Sequence, residues 1–128
     1  FVFLVLRLPP RFTLDRSSAA SDVYKRQRFE ARAGILKALS HPSRLFMVEE
    51  LSRGERCVCE LTEMVGADMS TVSKHLSQLK SAGIVADSKR GMQVYYRLKM
   101  PCVLRFFDCI GEVIEQTARE QSELVSVR

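Results

Sequence analysis

Residues 57–83, CVCELTEMVGADMSTVSKHLSQLKSAG, decide the fold. Cys59 to Val65 reads as a short helix that stops at Gly66. Ser70 to Ala82 reads as a second helix that begins behind the capping-type residues Asp68 and Ser70 and stops at Gly83. Short oxygen-bearing side chains satisfy the first free amides of a helix, and glycine takes the left-handed turn that ends one. The stretch is therefore helix, tight turn, helix.

The flanks extend this pattern. On the N-terminal side, Phe29, Ala33, Leu36 and Leu39 recur at helical spacing until His41-Pro42-Ser43-Arg44 interrupts with a proline suited to the first turn of a new helix. Helices over about 28–39 and 42–53 follow; the second carries Leu45, Val48 and Leu51 on one face and ends at Gly54. On the C-terminal side the period changes. Residues 84–88 and 93–98 are β-rich runs around Lys89-Arg90-Gly91-Met92, a hairpin with a basic, glycine-bearing tip. Beyond Pro101 a helical stripe of Val103, Phe106, Phe107, Ile110, Val113, Ile114 and Ala118 is broader than a small core needs. Such a stripe fits either a partner helix or packing on the same domain. The expected class is mainly α with a small β-hairpin, in the order α-α-α-α-β-β-α.

With 128 residues, 46% of them hydrophobic and 27% charged, one domain with a modest core is expected, aided by oligomerisation. Four cysteines, at 57, 59, 102 and 109, are too few for a disulfide scaffold, and no secretory leader opens the chain, so a reducing cytoplasm is expected. The apolar start stops at Arg7, far short of the roughly 20 residues of a membrane span. Residues 1–27 lack an initiating Met, contain Pro9-Pro10 and a Ser/Ala run, and read as a disordered or non-native leader. The domain proper is expected over 28–118, with a flexible tail over 119–128.

The net charge of +5 is unevenly distributed. Residues 69–99 carry six basic and one acidic residue, whereas 28–68 and 100–128 are slightly acidic. A contiguous basic third is the footprint of a surface facing phosphates, or a solvated basic face. Cys57-Val58-Cys59 sets two thiols one residue apart. Thiols that close cannot easily pair with each other in ordinary disulfide geometry, which points to capture of a soft ion. On a regular helix they would face nearly opposite ways, so joint ligation requires them at or before the helix start, where the chain places them. A helix N-terminus is also expected to lower a thiol pKa.

Four blocks occur in order: Leu36 to Leu45, Cys57 to Leu61, Ser70 to Leu76 and Gly91 to Leu98. Together they resemble the ArsR/SmtB family of prokaryotic metal-sensing repressors over roughly residues 29–118. The resemblance implies a winged helix-turn-helix homodimer, paired through its first and last helices, that represses its own resistance operon until a metal or metalloid binds. The second helix of such a motif enters the major groove, so Ser70, Thr71, Ser73, Lys74, His75 and Gln78 are the expected reading residues. Lys89 and Arg90 at the wing tip would meet backbone or minor groove. His75 could equally be a surface hydrogen-bonder, and His41 reads as a residue that packs at a helix start.

Arsenic sensors of the family can place a third cysteine three residues beyond the pair, where this chain has Thr62. The family's zinc site on the last helix is also incomplete, with Cys102 on one of its positions and Met100, Val113 and Gln116 near the others. Cys102, behind Pro101, is the expected third ligand with Cys57 and Cys59, and Cys109 reads as core. Three sulfurs suit trivalent arsenic, with antimony following. The alternatives are a Cd(II), Pb(II) or Zn(II) response, a four-thiol site using Cys109 among them, and a thiol redox or persulfide switch. An enzyme is not expected, because neither histidine is evidently paired with a cysteine nucleophile.

Overall fold

The computed structural model describes residues 19–127. The expectations for residues 1–18 lie outside the described residues. The chain divides into two units, residues 1–37 and 38–128. Among the described residues eight elements run in order: α1 (Ala19–Leu39), α2 (Pro42–Leu51), β1 (Arg56–Cys57), α3 (Val58–Val65), α4 (Met69–Ser81), β2 (Val85–Arg90), β3 (Gln93–Leu98) and α5 (Val103–Ser126). Among the described residues no helix is long and apolar enough to cross a membrane.

Within the first unit the described residues are helical, with the Arg28 and Arg32 guanidinium groups over the rings of Tyr24 and Phe29. Tyr24, Phe29 and Leu36 are exposed. Residues 19–27, expected as disordered leader, belong to α1, and residues 119–126, expected as a flexible tail, continue α5. Both stretches lack interior proline and glycine and are rich in good helix formers, which let each helix run on past the apolar pattern used to bound it.

The second unit holds the core. Met47 and Val48 of α2, Leu61 of α3, Val72, Leu76 and Leu79 of α4, and Ile84 and Val85 at the start of the hairpin are all but completely shielded from solvent. Each such side chain contributes about 1.5–3 kcal/mol relative to exposure. Val72, Leu76 and Leu79 lie on one face of α4, leaving Lys74 and Gln78 outside.

The helix-turn-helix is built as its punctuation implies. Asp68 caps α4, its carboxylate accepting from the Thr71 amide at 3.2 Å and from the hydroxyls of Ser70 and Thr71. Those bonds hold its carboxyl down at about 2. Gly66 ends α3 with φ 75°. At the far end of α4, Gly83 (φ 79°) donates to the Lys80 carbonyl and Ile84 to the Leu79 carbonyl, both at 3.0 Å. The paired bonds turn the chain sharply into β2 while burying Leu79 and Ile84.

The sheet has three strands rather than the two expected, in the order β1-β3-β2 and antiparallel throughout. The additional strand pairs Arg56 with Tyr96 and Cys57 with Tyr95. A two-residue strand shows no periodicity in a sequence. Its effect is to anchor the thiol pair to the hairpin.

Candidate thiol site and nucleic-acid interface

Cys57 is the last residue of β1 and the N-cap of α3, with extended φ −79° and ψ 159°. Its sulfur accepts from the Glu60 amide at 3.4 Å, and it is 5% exposed. Cys59 follows in the first turn of α3, half-buried, with its thiol beside that of Cys57. The break from strand to helix therefore turns two thiols toward each other that a continuous helix would separate. The Cys57 thiol beside it, then burial, raise the Cys59 thiol above its ordinary range. This reverses the expected lowering at a helix N-terminus, because the neighbouring thiol and burial outweigh the backbone hydrogen bond that lowers it.

Thr62, where a third cysteine would complete a one-helix site, donates its hydroxyl to the Val58 carbonyl at 2.7 Å. Cys102 is exposed at the N-cap position of α5, makes no side-chain cap bond, and Cys109 is exposed on α5 rather than in the core. Among the described residues no three His, Cys, Asp or Glu side chains converge to hold a metal ion. The fold therefore brings Cys57 and Cys59 together and leaves Cys102 apart from them. The pair fits a thiophilic ion as a two-sulfur clamp, with further ligands still to be supplied.

The expected reading residues all fall on α4. Ser70, Lys74 and Gln78 are exposed, while Thr71, Ser73 and His75 are half-buried. Ser70 and Thr71 are occupied by the Asp68 cap. His75 and Gln78 are held from behind by Arg44 of α2, whose Nη1 lies 3.3 Å from His75 Nδ1 and donates to Gln78 Oε1. The His41 ring lies 4.4 Å from that of His75. His41 also caps α2, its Nδ1 accepting from the Ser43 amide at 3.1 Å. Burial first, then His41 and Arg44, push the His75 imidazole below its ordinary range. No local pattern marks Arg44, since its partners lie 31 and 34 residues away.

At the wing, β2 and β3 extend to Arg90 and Gln93, leaving Gly91 (φ 63°) and the 99%-exposed Met92 as the turn. Arg90 is not free. It donates to both carboxylate oxygens of Glu55, at 2.8 and 3.1 Å, and lies over the Tyr95 ring at 5.1 Å. Lys89 is exposed. Lys80 of α4 pairs with Asp87 of β2 at 2.9 Å, tying α4 to the hairpin.

The model of the bacterial regulatory protein, arsR family, matches residues 41–87. The arsenic resistance transcriptional regulator ArsR1 of Pseudomonas putida is 43% identical over 65 residues, 50% of this chain and 51% of that protein. The cadmium resistance transcriptional regulatory protein CadC of Listeria innocua is 36% identical over 77 residues, 59% of this chain and 65% of that one. The chain thus spans about half the length of the first of these relatives. A solved homodimeric winged helix-turn-helix DNA-binding domain from Mycobacterium bovis, a possible ArsR-family regulator, is 30% identical with a TM-score of 0.66 over 75% of this chain and 89% of that one. The helix-turn-helix, the wing and these matches together place the chain in the ArsR/SmtB family of winged helix-turn-helix transcriptional regulators, which are DNA-binding proteins and not enzymes.

Proposed function

We propose that this protein is a repressor that binds operator DNA as a homodimer and releases it when trivalent arsenic, or antimony, is captured by cysteine thiols. The observation that carries the sensing half is the Cys57–Cys59 thiol contact at the junction of β1 and α3. Cys102 is the proposed third sulfur, brought to the pair by movement of α5 or contributed by the second protomer. Ser70, Thr71, Ser73, Lys74, His75 and Gln78 would face the major groove, with Lys89 and, once detached from Glu55, Arg90 on the backbone or minor groove. Exposed apolar side chains on α1 (Tyr24, Phe29, Leu36) and on α5 (Phe106, Ile110, Val113, Ile114) supply the surface for pairing two chains. A reducing cytoplasm is the compartment in which such thiols would stay free.

Fluorescence anisotropy of the full chain on a duplex from its own upstream region tests this reading. Binding under reducing conditions, release by arsenite, and loss of that release in Cys59→Ser and Cys102→Ser are expected. Release by cadmium, lead or zinc alone would replace the metalloid with a divalent ion. Release by a mild oxidant or a persulfide donor alone would make the pair a redox switch, and no binding to DNA would refute the repressor.

A further inference from the structure

Arg44 sits in the first turn of α2, yet its side chain is spent on α4. One guanidinium nitrogen serves both His75 Nδ1, at 3.3 Å, and Gln78 Oε1. A guanidinium has only donors and stays charged at any accessible pH, so each contact has a single polarity. His75 Nδ1 must accept, which leaves the ring proton on Nε2. Gln78 Oε1 must accept, which turns its oxygen toward α2 and leaves the NH2 as the free end of the amide. Among the described residues Arg44 has no carboxylate partner to draw it away, and its Nε is buried without a partner. The His41 ring, fixed by its own capping bond to Ser43, lies against His75 at 4.4 Å and limits its rotation.

We infer that Arg44 is a positioning residue that sets the hydrogen-bond polarity of the reading helix, so that His75 and Gln78 meet DNA only as donors. This rests on the reading of α4 as the helix that enters the major groove. A glutamine free to turn pairs bidentately with adenine, offering its oxygen to N6 and its NH2 to N7. With the oxygen held by Arg44, that pairing is lost. The NH2 then favours an edge that presents acceptors, and guanine, with O6 and N7, offers two. The specificity of the helix is in this way written partly by a residue outside it.

Two measurements on the full chain test the inference, the first without DNA. Long-range proton–nitrogen-15 spectra should show His75 as the Nε2–H tautomer in the wild type and as a tautomer mixture in Arg44→Met; an Nδ1–H tautomer in the wild type would overturn the proposal. The second is selection from randomised 20-base-pair duplexes, the length being about two helical turns. The wild type should enrich one position per half-site for guanine over adenine by about fivefold or more, and Gln78→Ala should level it. Arg44→Met should bring the ratio to within about twofold, since a free amide serves either purine. Retention of the wild-type ratio by a folded Arg44→Met protein would overturn the inference. Should that variant fail to fold, Gln78→Glu keeps an oxygen for Arg44 but offers no donor, and a surviving guanine preference there would overturn it equally. A wild type that enriches no duplex would defeat the DNA reading itself, and the tautomer then decides the role of Arg44 by itself.

Discussion

Cys57 stands opposite Tyr95 in the ladder between β1 and β3, so the residue whose thiol caps α3 is also a residue of the sheet that carries the wing. Two residues earlier, Glu55 holds Arg90 of the wing. On the other side of Cys57, α3 runs through the buried Leu61 to the Gly66 turn and α4, the proposed reading helix. An ion that recruits the Cys57 sulfur would act on the acceptor of the Glu60 amide, at the point where these paths meet. A coupling of about 1–3 kcal/mol, or roughly 5- to 150-fold in DNA affinity, is enough for a working switch.

Capping and ligation at Cys57 are separable. Serine keeps an acceptor for the Glu60 amide, whereas alanine removes it. Cys57→Ser should therefore fold with a stability within about 1 kcal/mol of wild type, and Cys57→Ala should fall below it, loss of a cap costing about 0.5–2 kcal/mol. Both should lose the response to arsenite. Urea unfolding beside arsenite titration measures the two effects independently, and a serine variant that still releases DNA on arsenite would remove Cys57 from the site.

In the Glu55–Arg90 pair one guanidinium nitrogen serves both carboxylate oxygens, and the pair is partly exposed, a setting in which ion pairs contribute about 0–1 kcal/mol. Glu55→Gln should consequently leave the melting temperature nearly unchanged. If Arg90 is then released to phosphate, the dependence of log affinity on log salt should steepen by about one unit per protomer. An unchanged slope would show that Arg90 does not reach DNA.

His75 makes the fold sensitive to mild acid. Its imidazole is held below the ordinary range by burial and by the facing His41 and Arg44, so the unfolded chain takes up this proton first as pH falls. The stability contributed by the neutral ring is fully present above the unfolded value of about 6.5, and is lost as pH falls through the lowered folded value. Asp68, held at about 2, gives way only at much lower pH and does not blur this window. Urea midpoints between about pH 7.5 and 5 should decline less in His75→Gln than in wild type. Identical declines would contradict the assignment.

Because Cys59 is held protonated beyond its usual range, pH separates the candidate inducers. Arsenous acid condenses with neutral thiols, three S–H and three As–OH bonds giving three As–S bonds and three waters, with no net proton released. A cadmium ion must instead displace a proton from each thiol it binds. Arsenite affinity should be nearly flat between about pH 6 and 7.5, while cadmium affinity should climb by about tenfold per pH unit for each thiol proton displaced. Calorimetry in buffers of different ionisation enthalpy counts the protons directly.

What could be read from the chain beforehand was local. Asp68, Gly66 and Gly83 marked the helix-turn-helix because a cap and a left-handed turn each have a residue signature. The placing of Cys57 and Cys59 at a helix start was legible for the same reason. Three features lay beyond that reach. The strand β1 is too short to have a period, and Arg44 acts across the core on residues more than 30 positions away. The direction of the Cys59 shift reversed because the thiol beside it outweighs the general behaviour of helix N-termini.

Any coupling between the thiols and bound DNA must be reciprocal. Whatever factor arsenite removes from DNA affinity, bound DNA must remove from arsenite affinity. Arsenite binding to the full chain should be measured with and without a saturating upstream duplex. A weakening by about 5- to 150-fold is expected, equal to the loss of DNA affinity caused by arsenite. Equal arsenite affinities in the two conditions would mean that the Cys57–Cys59 site and the reading helix are not coupled.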